Sequence, residues 1–379
     1  MHPFLGIRST ILLLSILTCA SAPAAPAPVT LDDAKTLAAE IEKSFAGRDP
    51  AAFVGAFDDA AIVKRALAGY PLTDKSAQEM AAGIKVGNDL ANRIVKTVLE
   101  GGSYKLVRIG TPAGRVPVPM FRLLNKDSIN YHHLTLARDD AGAVKIVDVD
   151  VFISGEPMSK TMRRLILPAL AEAQKGKTDD VVKPLADVAA MQRVAAGGDY
   201  KTALDLWEKL PTGVRNEKSL QLTRLQYAQR VGPAKYDPAL KEYEALFPGD
   251  PVLDLTRVYS LSAAKKYDQA LAAIDRLDKT VQDPYLDLMR AQAYAALRDS
   301  DKAQLHFDKL LKWDPSFERA WGGLLVISLT KKDFARTATL LTAREKATNK
   351  PLTPEFLEKA KEFAEFVKSP EYRKWKSAR

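Results

Sequence analysis

Between residues 200 and 340 the apolar positions recur with two periods at once. Within each short stretch they fall three and four residues apart, which places them on one face of a helix. Over longer distances one small unit returns: an aromatic, two residues, then a small residue that opens the apolar stripe. The copies are Tyr200/Ala203, Tyr236/Ala239, Tyr267/Ala270, Ser300/Ala303 and Phe334/Thr337, the fourth lacking the aromatic. Their small residues step by 36, 31, 33 and 34 positions. A period in the low thirties predicts stacked helical hairpins, each too small to bury its apolar face alone.

Upstream the pattern is helices first, then strands. Thr30 opens an amphipathic helix with Ala34, Leu37, Ala38, Ile41 and Phe45 on one face, ending near Gly47. Asp49-Pro50 starts a second, short helix carrying Phe53 and Phe57. Ser76 and Glu79 form a capping-box pair that opens a longer helix with Ile84, Ala91, Ile94 and Val98 on one face, closed by Gly101-Gly102. Strands are expected at about 103–110, 117–125, 128–138 and 143–153, with a turn at Asp139-Asp140-Ala141-Gly142. In the last strand Val147, Val149, Val151 and Ile153 point one way, and Ile146, Asp148, Asp150 and Phe152 the other. Gly155-Glu156-Pro157 ends the sheet, and a helix follows from about Ser159 toward Ala173. The expected fold class is an α+β domain, helices on an antiparallel sheet, followed by an all-α solenoid.

The repeated part resembles a tetratricopeptide repeat array. Gly198-Asp199-Tyr200 with Ala203, Trp207 and Leu210 matches the turn and second helix of that repeat. The fullest copy has Tyr294 in its first helix, then Ala303, Phe307, Leu310, Leu311 and Asp314-Pro315. The small residue lets the two helices cross closely, and the large one four positions later fills the gap toward the next hairpin. Where the family has a small residue within the first helix, this chain has Met191, Tyr227 and Val258, and only Ala291 conforms. The resemblance covers about residues 183–348. It implies a scaffold that binds a protein or peptide in the groove lined by the first helices; the leader at the start of the chain makes it an exported, periplasmic or secreted bacterial protein by expectation. Carried over by register, that groove face is Gln192, Arg224, Leu255, Tyr259, Leu288, Gln292, Arg319 and Val326.

The two ends of the chain read differently. Arg8, the apolar run Ile11 to Leu17 and the Ala/Pro stretch after it have the pattern of a secretory signal peptide. The run is too short to span a bilayer, which takes about 20 apolar residues. The lone cysteine, Cys19, is either discarded with the signal or lipidated as the first residue of an envelope-assembly lipoprotein. A membrane partner is expected only in the second case. At the other end Thr353-Pro354 and Ser369-Pro370 start helices that cap the array, with Phe356, Leu357, Ala360, Phe363, Ala364 and Val367 on one face. The expected division is 1–28 leader, 29–175 α+β domain, 176–350 repeats and 351–379 cap.

Charge and chemistry narrow the function classes. Lys+Arg 56 against Asp+Glu 47 gives a net +9, but the charges are spread along helices without a basic, aromatic-laced stripe, so no nucleic-acid partner is expected. The α+β domain offers His132, His133, Asp148, Asp150 and Glu156. Neighbours on a strand face opposite sides, so the two histidines cannot share a metal. Asp148 and Asp150 share a face, and with a histidine they would suit acid–base work; the plainer expectation is the solvent face of a half-buried sheet. No phosphate loop or nucleophile elbow is present, so no catalytic residue, metal or cofactor is assigned. The alternative function is a small-ligand-binding or hydrolytic α+β domain that the repeats localise.

Overall fold

The computed structural model describes residues 27–70, 72, 75–111, 116–125, 128–173 and 182–379. The leader segment with Cys19 and the expected boundary at 175/176 lie outside them.

Among the described residues five helices precede the sheet: α1 (Leu31–Ala46), α2 (Ala51–Ala56), α3 (Asp59–Ala66), α4 (Lys75–Ala82) and α5 (Val86–Leu99). Thr30 and Asp33 close a capping box on α1, and the five apolar residues anticipated on its face are all buried. Helix α3 was not anticipated. The long helix expected after Ser76 is two helices, and Ser76 falls inside α4 rather than before it. The break at Gly83–Lys85 re-aims the chain so that α5 can press on Phe57. A Cβ on Gly87 would lie 2.6 Å from that ring, so only glycine permits the approach.

The sheet is an antiparallel meander in the order β1-β2-β3-β4-β5, formed by β1 (Ser103–Gly110), β2 (Val118–Leu124), β3 (Ile129–Arg138), β4 (Val144–Val151) and β5 (Glu156–Pro157). Two expectations are corrected here. Glu156 and Pro157 do not end the sheet; after a left-handed turn at Gly155 they pair with Asp150 and Val151 as a fifth strand. The facing of β4 is also shifted by a bulge, because Thr135 pairs with Asp148 but Leu136 with Ile146. Val147 is the extra residue, so Ile146 joins Val149 and Val151 on the face toward α1–α5. That face closes over Phe45, Phe53, Tyr104 and Phe121, whose rings meet stacked, tilted or edge-on at 4.7–5.5 Å.

Helix α6 (Met158–Ala173) leads to the helical hairpins. They pair α7 (Val182–Ala196) with α8 (Tyr200–Trp207), and, after the one-turn α9 (Thr212–Arg215), α10 (Lys218–Val231) with α11 (Pro233–Leu246). The rest are α12 (Pro251–Ala263) with α13 (Tyr267–Val281), α14 (Leu286–Ala296) with α15 (Ser300–Trp313), and α16 (Glu318–Thr330) with α17 (Phe334–Thr348). Hairpins lie side by side through α8 on α10, α13 on α14 and α15 on α16, and between the second and third pairs Tyr243 of α11 shares an apolar cluster with Val252 and Leu253 of α12. The small residues that set the period, Ala203, Ala239, Ala270, Ala303 and Thr337, are all buried where the helices cross.

Helices α18 (Pro354–Lys359) and α19 (Pro370–Ser377) close the end, each capped by the hydroxyl of the expected Thr353 or Ser369. Between them the chain is not one amphipathic helix. Ala360 is extended and two 3-10 turns follow, so Phe366 is buried with Leu357 and Phe363 while Phe356 and Ala364 are exposed. Tyr372 and Trp375 are buried under this cap.

Candidate functional site

The second face of the sheet, expected to meet solvent, is covered by the helical array. Met120, Ile129 and Tyr131 belong to the same apolar cluster as Leu255, Leu288, Leu286 and Trp321. Strands deliver these groups by alternation: on β3, Tyr131 faces the array while His132 faces the helices.

Cations on the sheet meet acceptors at the turns between hairpins. Arg122 on β2 donates from Nη1 to Asp283 at 2.6 Å, and Tyr131 donates to the other oxygen of Asp283 at 3.0 Å. The guanidinium also lies 4.6 Å from the Tyr285 ring and 5.2 Å from that of Trp313. Arg108 donates to the carbonyls of Thr280 and Val281, the last turn of α13, where a cation complements the helix dipole. Lys105 pairs with Asp314 at 2.7 Å, holding that carboxyl below the ordinary range against the upward pull of burial. Partial burial raises the Glu42 carboxyl, against the downward pull of Lys105 and the edge backbone at Leu106.

The eight residues expected on the groove fall into distinct surroundings. Leu255 and Leu288 are buried, at 3% and 1% exposure, and so are core rather than contact surface. Tyr259 is taken by the sheet: its hydroxyl accepts the Ile129 amide at 2.8 Å. Arg319 donates to the Tyr285 hydroxyl at 3.0 Å. The Arg224 guanidinium lies over Trp207, 3.9 Å from the ring centre, and pairs with Glu242. Gln192 is half-buried beside a cavity of about 790 Å³ between α6 and α7. Gln292 and Val326 are open to solvent, Val326 at 60% exposure. The sheet thus occupies one part of the first-helix face and leaves the line through Gln292 and Val326 free.

The candidate acid–base residues of the α+β domain are each engaged by the fold. Asp148 is buried, and accepts from the Ser159 amide (3.1 Å) and hydroxyl (2.5 Å), capping α6 from a neighbouring strand. Glu156 is buried in an ion pair with Arg164 and accepts from Thr161. His132 is buried among the aromatics with Nδ1 3.2 Å from the Tyr104 hydroxyl, and burial pushes it down to about 4. His133 is the register partner of Asp150 across the β3–β4 ladder, with no hydrogen bond or ion pair between the two side chains. Burial raises the Asp150 carboxyl and Asp148 adds to it; burial lowers His133, with Arg108 contributing. Among the described residues no group of three or more His, Cys, Asp or Glu side chains could hold a metal ion.

Sequence reasoning did not find the sheet–array interface. Its signal was present in the cations Lys105, Arg108 and Arg122, placed among apolar residues of strands that alternation alone would have left half-exposed.

No family model matches the chain, and no curated protein matches it. Among solved structures the chain is similar to the crystal structure of PilW, a widely conserved type IV pilus biogenesis factor. The likeness covers 53% of this chain and 92% of that one, with 14% identity and a TM-score of 0.35. At that score it fixes neither the fold nor a function.

Proposed function

We propose that this chain is an exported, non-catalytic scaffold of tetratricopeptide type that holds a protein or peptide segment on the first-helix face of its repeats. The observation that carries the reading is Val326, 60% exposed on a helix whose neighbours Leu324, Leu325 and Ile327 are buried. An apolar side chain held out of a well-packed helix, in line with the exposed Gln292, suits an apolar anchor of a partner. The binding strip is shorter than the repeats alone would offer, because the sheet already covers Tyr259 and buries Leu255 and Leu288. The non-catalytic part of the reading is supported by Asp148, Glu156 and His132, whose polar atoms are spent on the fold. Among the described residues no helix is long and apolar enough to cross a membrane.

A photoreactive amino acid placed at position 326 or 292 in the native cell tests this. The expected result is a discrete crosslinked species from both positions, absent from position 279 and lost with Val326→Glu. Equal labelling from all three positions would rule the strip out.

A further inference from the structure

Successive hairpins in this array repeat one outer niche, framed by a second helix, the first helix of the next pair and that pair's second helix. The niche between α13, α14 and α15 is ionic. Arg290 spans it, pairing with Asp275 and Asp278 at 2.9 and 2.8 Å and with Asp287 at 3.6 Å. One hairpin earlier Arg257 does the same with Glu244 and Asp254. Both arginines hold the same repeat position, 33 residues apart, in step with Ala270 and Ala303.

The next niche, between α15, α16 and α17, breaks the pattern. In the step of 34 from Ala303 to Thr337, Arg290 becomes Leu324 and Asp287 becomes Trp321; in the step of 33 before it, Asp278 becomes Leu311. The ion-filled space turns into an apolar slot of about 810 Å³ with Trp321, Leu340, Ala343 and Ala347 along it and Leu305 exposed at its lip. Lys309, Lys312 and Lys346 border the slot, all exposed, against the single carboxylate of Asp308. Among the described residues none of the three lysines has a salt-bridge partner, although Lys309 and Lys312 also border the acidic niche. The same architecture, with its internal ion pairs removed and its cations retained, is complementary to a ligand that supplies both the apolar filling and the negative charge.

We propose that this slot docks an acidic amphipathic helix of a partner protein, its apolar side chains between α15 and α17 and its carboxylates on the three lysines. The site lies on other helix faces than the Gln292–Val326 strip and stands independently of it.

The test is a fluorescence-anisotropy titration of the full chain with a labelled synthetic helix of about 16 residues, long enough to span α15. Its apolar face carries Leu at helical spacing and its polar face Glu; a second peptide has Lys in place of Glu. The expected result is salt-sensitive binding of the Glu peptide only. Lys309→Glu/Lys346→Glu should weaken it about tenfold, Leu305→Glu should weaken it too, and Val326→Glu should leave it unchanged. Absent binding, equal binding of the Lys peptide, or indifference to the lysine reversals would overturn the proposal. So would loss of binding in Val326→Glu, which would put the peptide on the first-helix strip instead. Phosphatidylglycerol vesicles that bind through the same lysines and displace the peptide would replace a protein partner by a lipid surface.

Discussion

Arg122 and Asp283, 161 positions apart, form an ion pair of 2.6 Å whose side chains are 1% and 0% exposed. Two charges have been taken out of water together, and each is tolerable only while the other is present. Asp283 is the more heavily used partner, since it also accepts from Tyr131 and from the amide of Tyr285. Arg122 keeps one buried nitrogen, Nε, without a hydrogen-bond partner.

Asp283→Ala should therefore cost about 3–5 kcal/mol, by stranding the guanidinium. Arg122→Met/Asp283→Ala should recover a large part of that loss, because no uncompensated charge is then buried. Urea unfolding of the two single variants and the double variant gives the coupling energy; additive losses would show that the pair acts independently.

The repeat register and the α+β class were legible because they rest on local signals: helix-spaced apolar residues, small residues at a fixed period, and hydroxyl or carboxylate caps ahead of prolines. The docking of sheet on array was not legible. It depends on which alternate strand positions meet which inter-hairpin turns, and no short window holds both Arg122 and Asp283. The bulge at Val147 defeated the facing of β4 for a related reason, since one extra residue inverts every assignment beyond it. Asp148 keeps its expected side, opposite Val149, but that side is covered rather than open to solvent, and its capping of α6 is a contact between elements that sequence order does not announce.

Acid should destabilise the protein through His132. Burial holds its folded-state value at about 4, below the ordinary 6.5, so the neutral ring is favoured in the fold. That contribution is complete above pH 6.5 and is lost as pH falls from there toward 4, on the order of 3 kcal/mol. His133 is lowered in the same direction, while the raised Asp150 carboxyl acts oppositely at lower pH. His132→Asn should flatten the slope of unfolding free energy between pH 6.5 and 4.5, measured by urea titration at each pH.

Three of the second helices begin with a capping aspartate. Asp199, Asp299 and Asp333 accept the amides of Thr202, Lys302 and Arg336 at 3.0–3.1 Å. Those amide bonds are the main reason the Asp199 and Asp299 carboxyls lie below their ordinary range. In α13 the place is held by Lys266, which makes no side-chain cap. Lys266→Asp should raise stability by about 1 kcal/mol, seen as a higher urea midpoint at unchanged slope.

Adjacent glycines in α16 should respond oppositely to the same change. A Cβ on Gly322 meets nothing within 4 Å, whereas one on Gly323 would lie 2.2 Å from the Phe307 ring. Gly322→Ala should stabilise by about 0.5–1 kcal/mol, through helix propensity alone. Gly323→Ala should destabilise by about 1–3 kcal/mol, by forcing α16 away from α15. Thermal unfolding of the two variants side by side reads both signs.

A solenoid of hairpins is by nature a spring, since each unit holds only its neighbours and small rotations accumulate along the stack. Here Arg108 grips the end of α13, Arg122 the turn before α14 and Lys105 the turn before α16, all from one rigid sheet. Three anchors on a single plate fix the pitch of the coil across its later turns. The two pairs ahead of the first anchor, α7 with α8 and α10 with α11, lie outside that grip, so any elastic response to a load would be concentrated there.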